Sequence, residues 1–259
     1  MPNIYQVAMF NAERYPDKVA VSDERQALSF GQFCARARAL SAYLKGLGVQ
    51  PGDRVAIMTP NSIDYLALLH ATAVGGFSLV PVNTRYGAAE LRYLLDDAQP
   101  TVCIVDPAYR PLREQIESEG GLNSAVQWLE HLPEALPDHR ADDPVQHRFG
   151  RVGDEDVAII MYTSGTTSAP KGAMLTHGNL SANAVNYIME LGIDANSRSL
   201  LATPLFHIGG FGVVNGPILY AGGSLHVVPR FEADAVMDAL RLYQPTHVFL
   251  LSAMWVGLT

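Results

Sequence analysis

The sequence predicts an α/β protein built from three-layer, parallel-sheet subdomains. Short apolar β-like runs alternate with helical stretches, glycine and polar cap residues punctuate the alternation, and a hydroxyl- and glycine-rich segment follows one predicted strand.

In chain order, the first signals are a strand at residues 19–22 and a helix at 29–47 that Gly48 closes. Regular alternation follows: strand 54–58, helix 63–74, strand 77–82, helix 88–98 and strand 101–105. Asn61 or Ser62 caps the start of the second helix, and Gly75 and Gly76 end it. From Glu130 to Asp156 the composition turns to Pro, His, Arg and acidic residues, the character of a surface connection. His131, His139 and His147 lie there too far apart for a metal site and receive no such role. Strand 157–162 leads into the hydroxyl-rich loop, with a helix at 177–191 expected next. A second series then runs through strand 199–203, a glycine-rich helix 208–220, strand 224–228, helix 233–243 and strand 246–251. Residues 1–192 are expected to form a first subdomain containing the loop, and 193–259 the start of a second. The last residues, SAMWVGLT, are apolar and interrupt an expected helix, so the chain reads as a fragment of a larger protein.

Composition narrows the function. A chain of 259 residues with 48% apolar content can bury a sizeable core. Its formal charge of -8 supplies no basic field, which argues against nucleic acid as a partner. Cys34 and Cys103 are isolated thiols without metal-ligand spacing and fit a reducing, cytoplasmic location. The N-terminus has neither the basic start nor the apolar stretch of a secretory signal. The charge-free windows 65–84 and 199–229 are broken by glycine, proline and histidine, and read as buried helix-strand units rather than transmembrane segments.

The most informative stretch is YTSGTTSAPKGAMLTHGNL, residues 162–180. Thr163, Ser164, Thr166, Thr167 and Ser168 offer hydroxyl donors, Gly165 and Gly172 backbone freedom, and Lys171 a mobile cation. This make-up suits a polyphosphate at the carboxyl end of a strand. A Walker A loop would need Gly before the lysine and Ser or Thr after it; Pro170 and Gly172 stand there instead. A nucleophile elbow at Ser164 would need glycine at Thr163. The GGFG run at 209–212 falls short of a dinucleotide fingerprint, because its last glycine would fall on Asn215.

In order along the chain stand LSFGQF, GVQPGDRVAIMTPNS, AVGGFSLVPVN, SGTTSAPKG and TPLFHIGG. This set resembles the adenylate-forming enzymes, which include acyl-CoA and aryl-CoA synthetases, luciferases and the adenylation domains of peptide synthetases. The resemblance spans nearly the whole chain and implies most of the large N-terminal domain of such an enzyme. It implies ATP, Mg2+ and CoA as reactants and cofactors: a carboxylate, fatty or aryl, attacks the α-phosphate of ATP, and a thiol then takes the acyl group. Lys171 would be the catalytic cation, with residues 163–168 and Gly172 beside it on the phosphates. Serine at position 168 departs from the family's usual glycine. Phe206, His207, Gly209 and Gly210 would line the acid pocket, the two glycines leaving room for an acyl or aryl group. Amino-acid-activating relatives carry aspartate where His207 stands, which disfavours a cationic substrate. The magnesium-holding glutamate, the adenine motif and the small C-terminal domain would lie beyond Thr259, leaving residues 1–259 inactive alone. A carrier protein as acyl acceptor and a non-catalytic nucleotide-binding relative are the competing readings.

Overall fold

The computed structural model describes residues 1–133, 152–163 and 170–258. The chain opens with helix α1 (Ile4–Arg14), the strand pair β1 (Val19–Ser22) and β2 (Ala27–Ser29), and helix α2 (Phe30–Gly46). Then come β3 (Arg54–Met58), α3 (Ile63–Gly75), β4 (Ser78–Pro81), α4 (Ala88–Ala98), β5 (Val102–Val105), α5 (Arg110–Ser118) and β6 (Gln127–Leu129). The remainder comprises β7 (Val157–Thr163), β8 (Lys171–Thr176), α6 (His177–Leu191), β9 (Arg198–Leu201), α7 (Ile208–Gly212), α8 (Asn215–Tyr220), β10 (Ser224–Val227), α9 (Ala233–Tyr243) and α10 (Ser252–Gly257).

Two sheets result, ordered β2-β1-β10-β9 and β6-β5-β3-β4-β7-β8. The pairs β1·β2 and β7·β8 are antiparallel, and the other strand pairs are parallel. Alternation along each strand sends side chains to opposite faces. Val55 and Ile57 of β3, with Leu225 and Val227 of β10, join one core with α1, α2 and α3. Ala56 and Met58 face α4 and Ile116 of α5 on the far side of the larger sheet, and Leu200 faces α9 on the far side of the smaller one. Each sheet is therefore covered on both faces, and the central helices serve both, as the three-layer expectation requires. The expected division at residue 192 does not follow the sheets, because β1 and β2 join β9 and β10.

Local chemistry accounts for most boundaries. Asn3, Ser29 and Thr176 close capping boxes at the starts of α1, α2 and α6. Ser62, rather than Asn61, caps α3, and Gly76 ends it in the left-handed region at φ 72°.

Two expected elements differ, and one strand is new. The single helix over 208–220 is two short helices, because Pro217 sits in the first turn of α8, where its missing N–H needs no partner. The expected strand at 246–251 reduces to one parallel bridge between Ser199 and His247. A strand that was not expected, β8, also stands between the hydroxyl-rich segment and α6, so Lys171 and Gly172 belong to it. Its sequence, KGAMLT, carries little apolar alternation because an edge strand is only half-covered.

Candidate active site

The polyphosphate candidate is the end of the β7–β8 hairpin. The two strands pair from Val157 opposite Thr176 to Thr163 opposite Lys171, with a register shift between Val157 and Ile159 and regular pairing from Ile159 onward. Ser164, Gly165, Thr166, Thr167 and Ser168 lie outside the described residues; Thr163, Lys171 and Gly172 lie within them. Thr163 and Lys171 are both exposed, and Lys171 has no ion-pair partner among the described residues. A hydroxyl and an ammonium at facing positions on one hairpin can converge on an anionic oxygen cluster.

Gly172 has a packing role that the loop reading missed. It lies directly opposite Tyr162, and a Cβ there would stand 2.8 Å from Ile160 Cγ2 and 3.2 Å from Tyr162 Cζ. Helix α4 supports both strands. The Tyr162 hydroxyl donates to Asp97 Oδ2, and the Tyr93 hydroxyl donates to the Pro170 carbonyl at 3.1 Å. Burial first, then the hydrogen bond and charge of Asp97, holds the Tyr162 phenol well above the ordinary tyrosine range, so it remains a donor. Tyr93, Asp97 and Tyr162 carried no role in the sequence reading, because only the α4–β7 packing brings them to the hairpin.

The acid-pocket candidates follow β9. Asn61, 5% exposed, organises them: its Nδ2 donates to the Thr203 and Val228 carbonyls, each at 3.2 Å, and its Oδ1 accepts the Leu205 N–H at 2.9 Å. The Asn61 N–H also donates to the Pro229 carbonyl at 3.0 Å. One side chain thus joins the segments following β3, β9 and β10. These are the carboxyl ends of parallel strands, where open α/β sheets bind ligands. Sequence reading placed Asn61 only as a possible helix cap.

His207 is exposed at the start of α7, with the Phe206 ring centroid 5.0 Å from its own. Its N–H donates to the Pro204 carbonyl at 3.1 Å, and its carbonyl accepts the Gly210 N–H at 2.9 Å, making a tight turn. The expected free space at the two glycines is occupied. A Cβ at Gly210 would lie 2.3 Å from the Pro204 carbonyl oxygen, and one at Gly209 would lie 2.9 Å from Phe249 Cε1. These glycines let α7 approach its neighbours closely. Leu205 and Phe211 meet Ile159 and Met161 of β7 around an apolar gap that Tyr65 and Leu66 of α3 also line.

Among the described residues no group of three or more His, Cys, Asp or Glu could hold a metal ion, and no helix is long and apolar enough to cross a membrane.

Thr163 and Lys171 thus stand on an antiparallel strand pair at the edge of the six-stranded sheet, and the Phe206–His207 turn follows β9 of the four-stranded one. The chain belongs to the AMP-binding enzyme family, matched over residues 10–259. Over 244 residues it is 37% identical to a feruloyl-CoA synthase of Amycolatopsis sp, an alignment covering 94% of this chain and 48% of that protein. It is 36% identical over 245 residues to an indoleacetate–CoA ligase of Aromatoleum aromaticum, covering 92% and 47% respectively. A solved fatty acyl CoA synthetase from Mycobacterium tuberculosis superposes with a TM-score of 0.85 at 27% identity, covering 100% of this chain and 51% of that one. The chain spans about half the length of the curated relatives it matches.

Proposed function

We propose that the protein is an AMP-forming acid–CoA ligase whose acid carries an aromatic ring. The observation that carries this reading is Lys171, exposed opposite Thr163 at the hairpin end in a chain of the AMP-binding family. In the first half-reaction the acid's carboxylate oxygen bonds to the α-phosphorus of ATP, and the bond to the departing pyrophosphate breaks. Negative charge grows on that pyrophosphate, where Lys171 and the Thr163 hydroxyl stabilise it. In the second, the CoA thiol attacks the acyl carbon and AMP leaves. Magnesium, when bound with ATP, neutralises phosphate charge.

The relatives' names favour an aryl acid over a fatty one. Feruloyl, indoleacetate and 2-succinylbenzoate all contain an aromatic ring, and the first two belong to proteins more similar to this chain than the solved fatty acyl CoA synthetase is. The Phe206–His207 turn offers ring faces for such an acid. Residues 1–259 alone are proposed to be inactive, with residues 163–168, Lys171 and Gly172 as one wall of the ATP site.

The test is ATP–pyrophosphate exchange by the full-length protein against aryl, fatty and amino acids, with the CoA thioester identified by mass. Exchange and thioester formation with aryl acids are expected. Exchange with amino acids alone, or with no acid, would defeat the reading; a product found only on a carrier-protein thiol would replace CoA as acceptor. Lys171-dependent exchange by residues 1–259 would overturn their proposed inactivity.

A further inference from the structure

We propose that Tyr93 and Asp97 are positioning residues for the hairpin that carries Thr163 and Lys171. The inference rests on the ligase reading for its substrate, the polyphosphate of ATP.

Tyr93 and Asp97 are four residues apart on α4 and therefore project from one face of the helix. Asp97 accepts from Tyr162, the β7 residue next to Thr163, and Tyr93 donates to the carbonyl of Pro170, the residue next to Lys171. One helical turn thus holds β7 at Tyr162 and the residue preceding β8, each next to one of the two proposed phosphate ligands. The grip has a fixed base. Arg54 of β3 donates through Nε to the Ala98 carbonyl at 2.8 Å and through Nη2 to the Gln99 carbonyl at 2.6 Å, tying the end of α4 to a central strand.

The hairpin needs such a brace. Strand β8 stands at the edge of the six-stranded sheet with β7 as its neighbour. Gly172 contributes no side chain to hold it, and Pro170 has no N–H to donate. Both tethers lie near solvent, since Tyr93 is 37% exposed and Asp97 is also exposed, so each adds little to global stability. Their effect falls on where the hairpin end points. A displacement on the order of 1 Å at a charge-stabilising group is costly to catalysis even where the fold is unaffected.

The test uses the full-length protein with Tyr93→Phe, Asp97→Ala, the two combined, and Asp97→Asn, which retains an acceptor oxygen. Three quantities are read: the Kd for inorganic pyrophosphate, the KM values for ATP and for the acid, and amide hydrogen exchange over 157–163 and 170–176. The combined variant is expected to raise the pyrophosphate Kd and the ATP KM about tenfold, the scale of two modest hydrogen bonds. The acid KM and the thermal midpoint should not move, faster exchange should be confined to β7 and β8, and Asp97→Asn should recover most of the affinity.

Unchanged pyrophosphate affinity in the combined variant would overturn the inference. So would a parallel rise of both KM values with a lowered thermal midpoint, which marks a merely structural role. A wild-type protein that binds pyrophosphate but exchanges with no acid defeats the ligase reading, while the binding series still decides the positioning inference. A wild-type protein that binds no pyrophosphate overturns the positioning inference itself.

Discussion

Tyr162 lies directly across the hairpin from Gly172, and its ring fills the space that a Cβ at Gly172 would enter. Such a Cβ would also meet Ile160 Cγ2 at 2.8 Å, a β-branched neighbour with little rotamer freedom. Gly172→Ala is expected to destabilise the protein by about 1–3 kcal/mol, the ordinary cost of overpacking. Urea denaturation reads this directly, and a wild-type midpoint would refute it.

Lys171 is exposed and makes no ion pair among the described residues, so its removal should leave stability within about 0.5 kcal/mol. A charge-assisted contact to a phosphate contributes about 1.5–3 kcal/mol, so Lys171→Ala should slow acid-dependent exchange roughly 10- to 150-fold. Lys171→Arg should recover only part of the rate, because the planar guanidinium presents its donors differently. Full exchange activity in Lys171→Ala would remove this residue from the site.

Gly210 and Gly209 separate a packing role from a pocket role. A Cβ at Gly210 meets a backbone oxygen that cannot rotate aside, whereas one at Gly209 meets the ring of Phe249. Gly210→Ala should cost about 3 kcal/mol, at the upper end for overpacking, and Gly209→Ala about 1 kcal/mol. Thermal melts of the two variants provide the comparison. Unaltered stability in both, with a changed acid preference, would restore the reading that they line the pocket.

His70 and His177 make the fold acid-sensitive. Burial pushes both imidazoles down from 6.5 to about 4. Between those values the unfolded chain binds more protons than the folded one. Stability is therefore complete above about pH 6.5 and falls as pH drops toward 4, by about 1.4 kcal/mol per pH unit for each histidine. His70 Nδ1 has the Leu66 carbonyl at 2.9 Å, while neither ring nitrogen of His177 has a partner among the described residues. His177→Leu should flatten the slope by one histidine's share, measured by denaturant titration between pH 7 and 4.5. An unchanged slope would show that His177 titrates alike in the folded and unfolded chain.

The sequence by itself determined the alternating α/β plan and the approximate bounds of α2, α3, α4, α6 and α9, and it nominated the polyphosphate candidate. These are local properties: apolar periodicity, cap residues, and hydroxyl, glycine and lysine side chains crowded into a few positions. It also contained the family's ordered motifs across nearly the full chain. Tertiary structure decided the rest. Strand β8 had no pattern of its own because an edge strand is covered on few sides, and β1 reached β10 only through a pairing about 200 residues distant in sequence, as contacts of that range leave no local periodicity. The same physics governed the site. Lys171 could be nominated from sequence because its chemistry resides in its own side chain. Asn61, Tyr93 and Asp97 could not, because ordinary polar residues acquire a role only through the carbonyls and hydroxyls that folding brings to them.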